Sequence, residues 1–226
     1  MRRGDQGDFV MSRDIPIIFS APMVRALLEG RKTMTRRLAW RPARKGEATG
    51  EGSRLSYALD DNRVTGKITQ HQRPSPWKRV QAGDRLWVRE NFSKYDYRDG
   101  CWYWADGREA AYDAERPRPS IHMPRWASRL TLIVTGTKVE RLQDISEADA
   151  HAEGAPWYVY GHGVISDFEY QMEPGYQPNK RMGFCQLWND LHGWGPPSAW
   201  ESNPEVVAIS FKVIHANIDA PEALAA

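Results

Sequence analysis

Only two cysteines, Cys101 and Cys185, occur in 226 residues, and they form no CxxC pair. That excludes a disulfide scaffold and a thiolate zinc site, and it suits a reducing cytoplasm. The six histidines show neither HxxxH nor HExxH spacing. No zinc site of a familiar kind is therefore expected, and no metal or cofactor. No apolar stretch approaches a membrane span, and residues 1–13 carry charge without an apolar core of the signal-peptide kind. The sequence reading is a cytoplasmic chain with no membrane partner. A glycine-rich phosphate loop, a GxSxG elbow and an internal repeat are also missing. The formal net charge is only +2, so the chain is no polycation. Any nucleic-acid contact has to come from a local basic patch.

What is present is a core and a recognition vocabulary. A hydrophobic content of 41% supports one generous domain. Arginine is plentiful and there are ten tryptophans, side chains with flat faces and donors that serve recognition and packing alike. Residues 1–13 read as a flexible start and 215–226 as a flexible tail around a single domain over 14–214. Within that domain, 41–79 and 156–180 are polar insertions, the first with a hairpin near Leu55 to Ile68. Apolar runs and alternation predict strands at 15–19, 85–90, 129–135, 139–142 and 205–214. Asp99-Gly100 between aromatic residues predicts a tight hairpin turn. Its rings are either a cross-strand packing set or a stacking platform for bases. Helices are expected over 21–29, capped by Ser20 and stopped by Gly30. Two more are expected, over 147–153 behind Ser146 and over 181–191 before Gly193. The sum is an α+β chain, a mixed and mostly antiparallel sheet curling into a small barrel flanked by short helices.

One stretch concentrates charge. Gly30-Arg31-Lys32-Thr33-Met34-Thr35-Arg36-Arg37 puts four cations and two hydroxyls into eight residues as the chain leaves a helix. Lys and Arg are almost never fully buried unless paired. The stretch is therefore either a solvated basic edge or one wall of a polar cleft. Glu153 is its counterpart, because it closes a helix at the end where the macrodipole disfavours an anion by a few tenths of a kcal/mol. Exposure or a cationic partner must explain it, and Lys32 with its neighbouring arginines can supply one. Lys32 and Thr35 are three residues apart, which on a regular strand points them to opposite faces. They converge only if Lys32 lies in the turn after Gly30 or the segment is bulged. If Lys32, Thr35 and Glu153 meet, a desolvated Lys32 amine can act as base. Thr35 becomes an activated nucleophile or a water holder, and Glu153 a proton shuttle to a leaving amine.

At these residues the sequence resembles the ASCH domain, a PUA-like β-barrel family common in bacteria and prophages. The basic stretch after its helix, the Gly83-Asp84-x-Leu86-x-Val88 turn and strand, and the closing Val207-x-Ile209-x-Phe211 strand carry the likeness. It covers roughly 14–40, 80–92, 128–155 and 180–214, without the insertions. Longer phage-encoded members are similar also at Leu142-Gln143-Asp144-Ile145-Ser146 and Trp200-x-x-Asn203-Pro204. The resemblance implies recognition of RNA or of a nucleoside. One branch of the family hydrolyses acylated cytidine, 4-acetylcytidine above all, without a metal, using a Lys, a Thr and a Glu. Those map by motif onto Lys32, Thr35 and Glu153. Another branch cleaves single-stranded RNA. The expected substrate-facing set is Arg31, Arg36, Arg37, Trp87, Arg89, Glu90, Arg125 and Trp126. The competing expectations are a non-catalytic RNA- or DNA-binding module and a prophage accessory protein that binds another protein.

Overall fold

The computed structural model describes residues 12–42, 54–58, 68–95, 99–107, 116–159, 163–165, 179–195 and 197–225. In chain order its first elements are β1 (Asp14–Ile18), α1 (Ala21–Leu28), β2 (Met34–Leu38), β3 (Trp40–Pro42), β4 (Arg54–Ala58) and β5 (Ile68–Pro74). Then come β6 (Arg85–Arg89), β7 (Phe92–Lys94), β8 (Cys101–Tyr103), β9 (Thr131–Arg141), α2 (Glu147–Ala152), β10 (Trp157–Val159) and β11 (Gly163–Ile165). The chain ends on α3 (Lys180–His192), β12 (Glu205–Ile214) and α4 (Pro221–Leu224).

Five strands hydrogen-bond in the order β1-β6-β9-β12-β2. Strand β1 runs parallel to β6, whereas the β6–β9 and β12–β2 pairs are antiparallel. The architecture is therefore mixed α+β, with a mostly antiparallel sheet and short helices. The order is that of an open sheet, and no closed barrel forms among the described residues. No helix among the described residues is long and apolar enough to cross a membrane.

The expected single domain over 14–214 divides into two compact units, one of Met1–Ala21, Ala82–Val134 and Val213–Ala226, the other of Pro22–Gln81 and Thr135–Lys212. In the first, Ile17, Leu86, Val88 and Leu132 are buried strand residues, Leu130 is buried just before β9, and Phe92, Met123 and Ala127 pack with Cys101 and Tyr103. Each such fully buried large aliphatic or aromatic side chain stabilises by about 1.5–3 kcal/mol. The hairpin β7–β8 pairs Lys94 with Cys101. Asp99-Gly100 therefore belongs to a loop longer than the predicted two-residue turn, and Tyr95 N donates to Gly100 O at 3.5 Å. Residues 96–98 lie outside the described residues.

The expectation of a flexible tail over 215–226 is corrected in this unit. Ile218 and Ala223 are buried. Asn217 Nδ2 donates to the carbonyls of Arg125, Trp126 and Ser128 at 2.9, 3.2 and 2.7 Å. Arg85 Nη1 donates to Ile218 O at 3.1 Å. A segment this short shows no hydrophobic period in sequence, so only its long-range hydrogen bonds reveal that it is anchored.

In the second unit Leu142, Ile145, Ala150, Ala155, Phe184, Trp188 and Val206 form one buried cluster, with Leu38 and Trp200 against it. Both supposed insertions contain pairing. Strands β3-β5-β4 make a small sheet, with Leu55 opposite His71, and β10–β11 make a hairpin. Helix α2 starts where Ser146 Oγ accepts from Asp149 N at 3.0 Å, and Glu147 and Asp149 suit its N-terminal dipole. Glu147 then reaches beyond its own helix. Its carboxylate accepts from the backbone N–H of Lys180 and Arg181 at 2.9 and 3.2 Å, capping α3 beside Asn179. Helix α3 comes so close to Pro156 that a Cβ on Gly183 would lie 1.9 Å from its carbonyl oxygen.

Candidate active site

The site grows from the way the chain leaves α1. Gly30 adopts a φ of +71°, a left-handed conformation that costs glycine little. Lys32 follows before β2 begins, as an isolated antiparallel bridge to Glu153. Lys32 N donates to Ala26 O at 3.0 Å, and Thr33 N donates to Ala152 O at 2.8 Å. Backbone bonds thus tie this segment to the end of α2. Lys32 lies outside the regular strand, so strand alternation does not govern where it points. On the other side, Gly154 turns the chain with a φ of +70°, where a Cβ would sit 3.1 Å from Ala26 Cβ and 3.3 Å from Lys32 Cβ. A glycine is required there on both counts.

Lys32 is 0% exposed and Glu153 3%. The ammonium Nζ donates to Glu153 Oε2 at 2.8 Å and to Glu153 O at 2.8 Å. The other carboxylate oxygen, Oε1, accepts from Arg36 Nη1 at 3.2 Å. An anion at a helix C-terminus is tolerated here because two cations share it. Burial is the main influence on Lys32 and lowers its pKa from the ordinary value. Glu153 opposes that shift, while Arg37 and Arg36 add to it.

Arg36 is buried as well, a correction to its expected place facing substrate. Its Nε and Nη2 donate to Glu140 Oε1 at 2.9 and 2.7 Å, and Nη2 also donates to Asp149 Oδ2 at 2.7 Å. Lys138 reaches the same two carboxylates, at 3.1 Å from Glu140 and 2.9 Å from Asp149. Burial alone would raise the Asp149 carboxyl, yet the hydrogen bonds from Lys138 and Arg36 hold it below its usual value. Lys32, Arg36 and Lys138 therefore face Glu140, Asp149 and Glu153, three charges of each sign. Glu140, Asp149 and Lys138 were absent from the sequence-derived set. Their positions more than a hundred residues from Arg36 gave no local signal.

Thr35 is buried on β2 opposite Ile209. The structure brings Lys32 and Glu153 into direct contact, and Thr35 precedes the arginine that holds the same carboxylate. Arg37 is half-buried, its guanidinium 5.5 Å from the Trp77 ring centroid. Burial pushes it down to about 10, against the pull of Glu153, so it stays a cation at neutral pH. Arg31 is exposed and pairs with Glu29.

The remaining expected residues fall in the other compact unit. Glu90 is buried, and Arg129 holds it through Nε and Nη2 at 2.9 and 3.0 Å. Burial raises the Glu90 carboxyl in spite of that fork. Arg129 also holds Asp106 and lies 4.1 Å from the Tyr103 ring centroid. Glu90 is thus a buried structural anion, a correction to its expected place facing substrate. Arg125 is likewise engaged, by Asp14 and Asp219. Arg89 donates to Ile121 O and sits 5.4 Å from the half-buried Trp87 ring. Trp126 alone of the expected aromatics is open, 57% exposed, with Lys94 Nζ 5.8 Å from its centroid. Among the described residues no group of three or more His, Cys, Asp or Glu could hold a metal ion.

No family model and no curated protein matches the chain. Among solved structures it is similar to protein EF3133 of Enterococcus faecalis, of family DUF984, at 9% identity and a TM-score of 0.35. That match covers 92% of this chain and 83% of the other. So loose a likeness carries no argument about fold or function.

Proposed function

We propose that the chain is an ASCH-type protein that recognises a nucleoside or nucleic acid and hydrolyses the acyl amide of a modified cytidine without a metal. The five-stranded sheet is, on this reading, its form of the PUA-like barrel. The observation that carries the reading is the buried contact between Lys32 Nζ and Glu153 Oε2 at 2.8 Å. A lysine whose pKa is lowered by burial supplies a neutral amine more readily than an exposed one. In the first step that amine takes the Thr35 hydroxyl proton as Oγ1 attacks the acyl carbon. The lysine's extra proton passes along the hydrogen bond to Glu153 and on to the leaving cytosine amine, and the C–N bond breaks. In the second step the Lys32 amine takes a proton from water as the water oxygen attacks the acyl carbon, and returns it to Thr35 Oγ1 as the ester C–O bond breaks, releasing the acid and restoring Thr35.

Incubation with cytidines bearing N4-acetyl or longer acyl groups tests this, with Lys32→Ala and Thr35→Ala as controls and circular dichroism to verify folding. Both substitutions should reduce turnover by about a hundredfold or more. Absence of turnover with every acyl group, or undiminished turnover in folded variants, would sink the assignment. A second reading, non-catalytic recognition of single-stranded nucleic acid, draws on the exposed Trp126 with Lys94 beside its ring. An aromatic face contributes about 1–3 kcal/mol per stacked base. RNA affinity that ignores salt, or that survives Trp126→Ala, removes that reading.

A further inference from the structure

We propose that Arg36 is a positioning residue for the Lys32–Glu153 pair, fixing the aim of the glutamate toward the lysine. The inference rests on the hydrolytic reading for its catalytic consequence but not for its physical content. The geometry is that of a fork with no free tine. Nε and Nη2 are held by Glu140 on β9, Nη2 also by Asp149 on α2, and Nη1 reaches Glu153 Oε1 at 3.2 Å and Met34 Sδ at 3.3 Å. A planar guanidinium fixed at two edges cannot swing, so its third contact sets where Glu153 Oε1 lies. Oε2 is then left facing Lys32. An ammonium in place of the fork has no such orientation, so a lysine at this position would keep the charge and lose the aim.

The charged neighbours of Lys32 are the Glu153 carboxylate on one side and the guanidinium groups of Arg36 and Arg37 on the other. Arg36 is itself faced by Glu140 and Asp149, each of which also pairs with Lys138. A cation near a buried lysine disfavours its protonated form. Arg36 acts in that sense on Lys32, after the larger effects of burial, of Glu153, which opposes it, and of Arg37. Position and charge therefore work through one side chain.

The test follows Lys32 by the NMR signal of its Cε carbon through an alkaline titration, in wild type, Arg36→Gln and Arg36→Lys. In Arg36→Gln the midpoint should move up, and in Arg36→Lys it should move less. With acyl-cytidine as substrate, the acid limb of the kcat/KM profile should rise with the midpoint in Arg36→Gln. Arg36→Lys should lose about tenfold or more in kcat with KM little changed. An unchanged Lys32 midpoint in folded Arg36→Gln overturns the proposal. Should that variant fail to fold, the wild type decides, because the chemical shifts of the Arg36 side-chain nitrogens should change at the Lys32 midpoint. Arg36 nitrogen shifts that do not respond to Lys32 deprotonation overturn the proposal. Turnover of no acyl-cytidine by the wild type would instead remove the hydrolytic reading, while the titrations would still judge Arg36.

Discussion

Replacing Lys32 with methionine removes the ammonium and keeps most of the side-chain volume, and its cost follows from the geometry. At 2.8 Å and an effective dielectric of about 20, the bare attraction between Lys32 and Glu153 is about 6 kcal/mol. Desolvating two ions costs several kcal/mol each, so the pair as a whole is near break-even. Removing one partner is different, because the buried carboxylate keeps its desolvation cost and loses its nearer cation. Such losses run to about 3–5 kcal/mol. Arg36 still touches Oε1, which puts the expectation near the lower end, about 3 kcal/mol. For a chain of this size that is a fall of about 6–12 °C in Tm. Urea unfolding at pH 7 of Lys32→Met, Glu153→Met and the double variant would measure it. The double variant should lose less than the sum of the singles by about 1–3 kcal/mol. The pH dependence has a definite sign. Lys32 is lowered from 10.5 in the folded state, so the unfolded chain binds the extra proton over the window below 10.5. Its contribution to stability therefore rises with pH through that window, and Lys32→Met should abolish that rise. A Lys32→Met loss under about 0.5 kcal/mol, or additive single variants, would refute the buried-pair argument.

Three other perturbations have expected outcomes. Gly183→Ala forces its Cβ to within 1.9 Å of Pro156 O unless α3 moves, and should cost about 3 kcal/mol or more in chemical denaturation. Gly154→Ala combines a φ of +70° with contacts of 3.1 and 3.3 Å. It should cost about 1–3 kcal/mol and shift the Lys32 NMR signals, whereas a change confined to stability would mean that Lys32 tolerates the intrusion. Asn217→Ala removes three hydrogen bonds to carbonyls. It should lower stability by about 1–3 kcal/mol and speed hydrogen exchange in 215–225, and slow exchange there would contradict the anchoring.

The parts legible in sequence were those with a local cause. Ser146 marks the start of α2, and the alternation of 85–90 and 205–214 marks their strands. The awkward place of Glu153 at a helix end pointed to a cationic partner, and Lys32 is that partner. Arg36 and Arg37 were harder, since a run of cations looks the same whether it meets water or carboxylates. Their fate depends on residues contributed by distant elements, Glu140 and Asp149 for Arg36. Glu90 fell to the same difficulty, because Arg129 lies on a segment that reaches it only in the fold.

The double embrace of Glu153 also gives the ion pair a polarity. Exchanging the partners, Lys32→Glu together with Glu153→Lys, preserves net charge and composition. It nevertheless sets a new ammonium against the Arg36 guanidinium at the end of α2, so the pair cannot be read backwards. Lineages or designs that alter this junction are therefore confined to one orientation of charge. A route through the reversed pair would have to replace Arg36 first, and with it the fastening of Glu140 and Asp149.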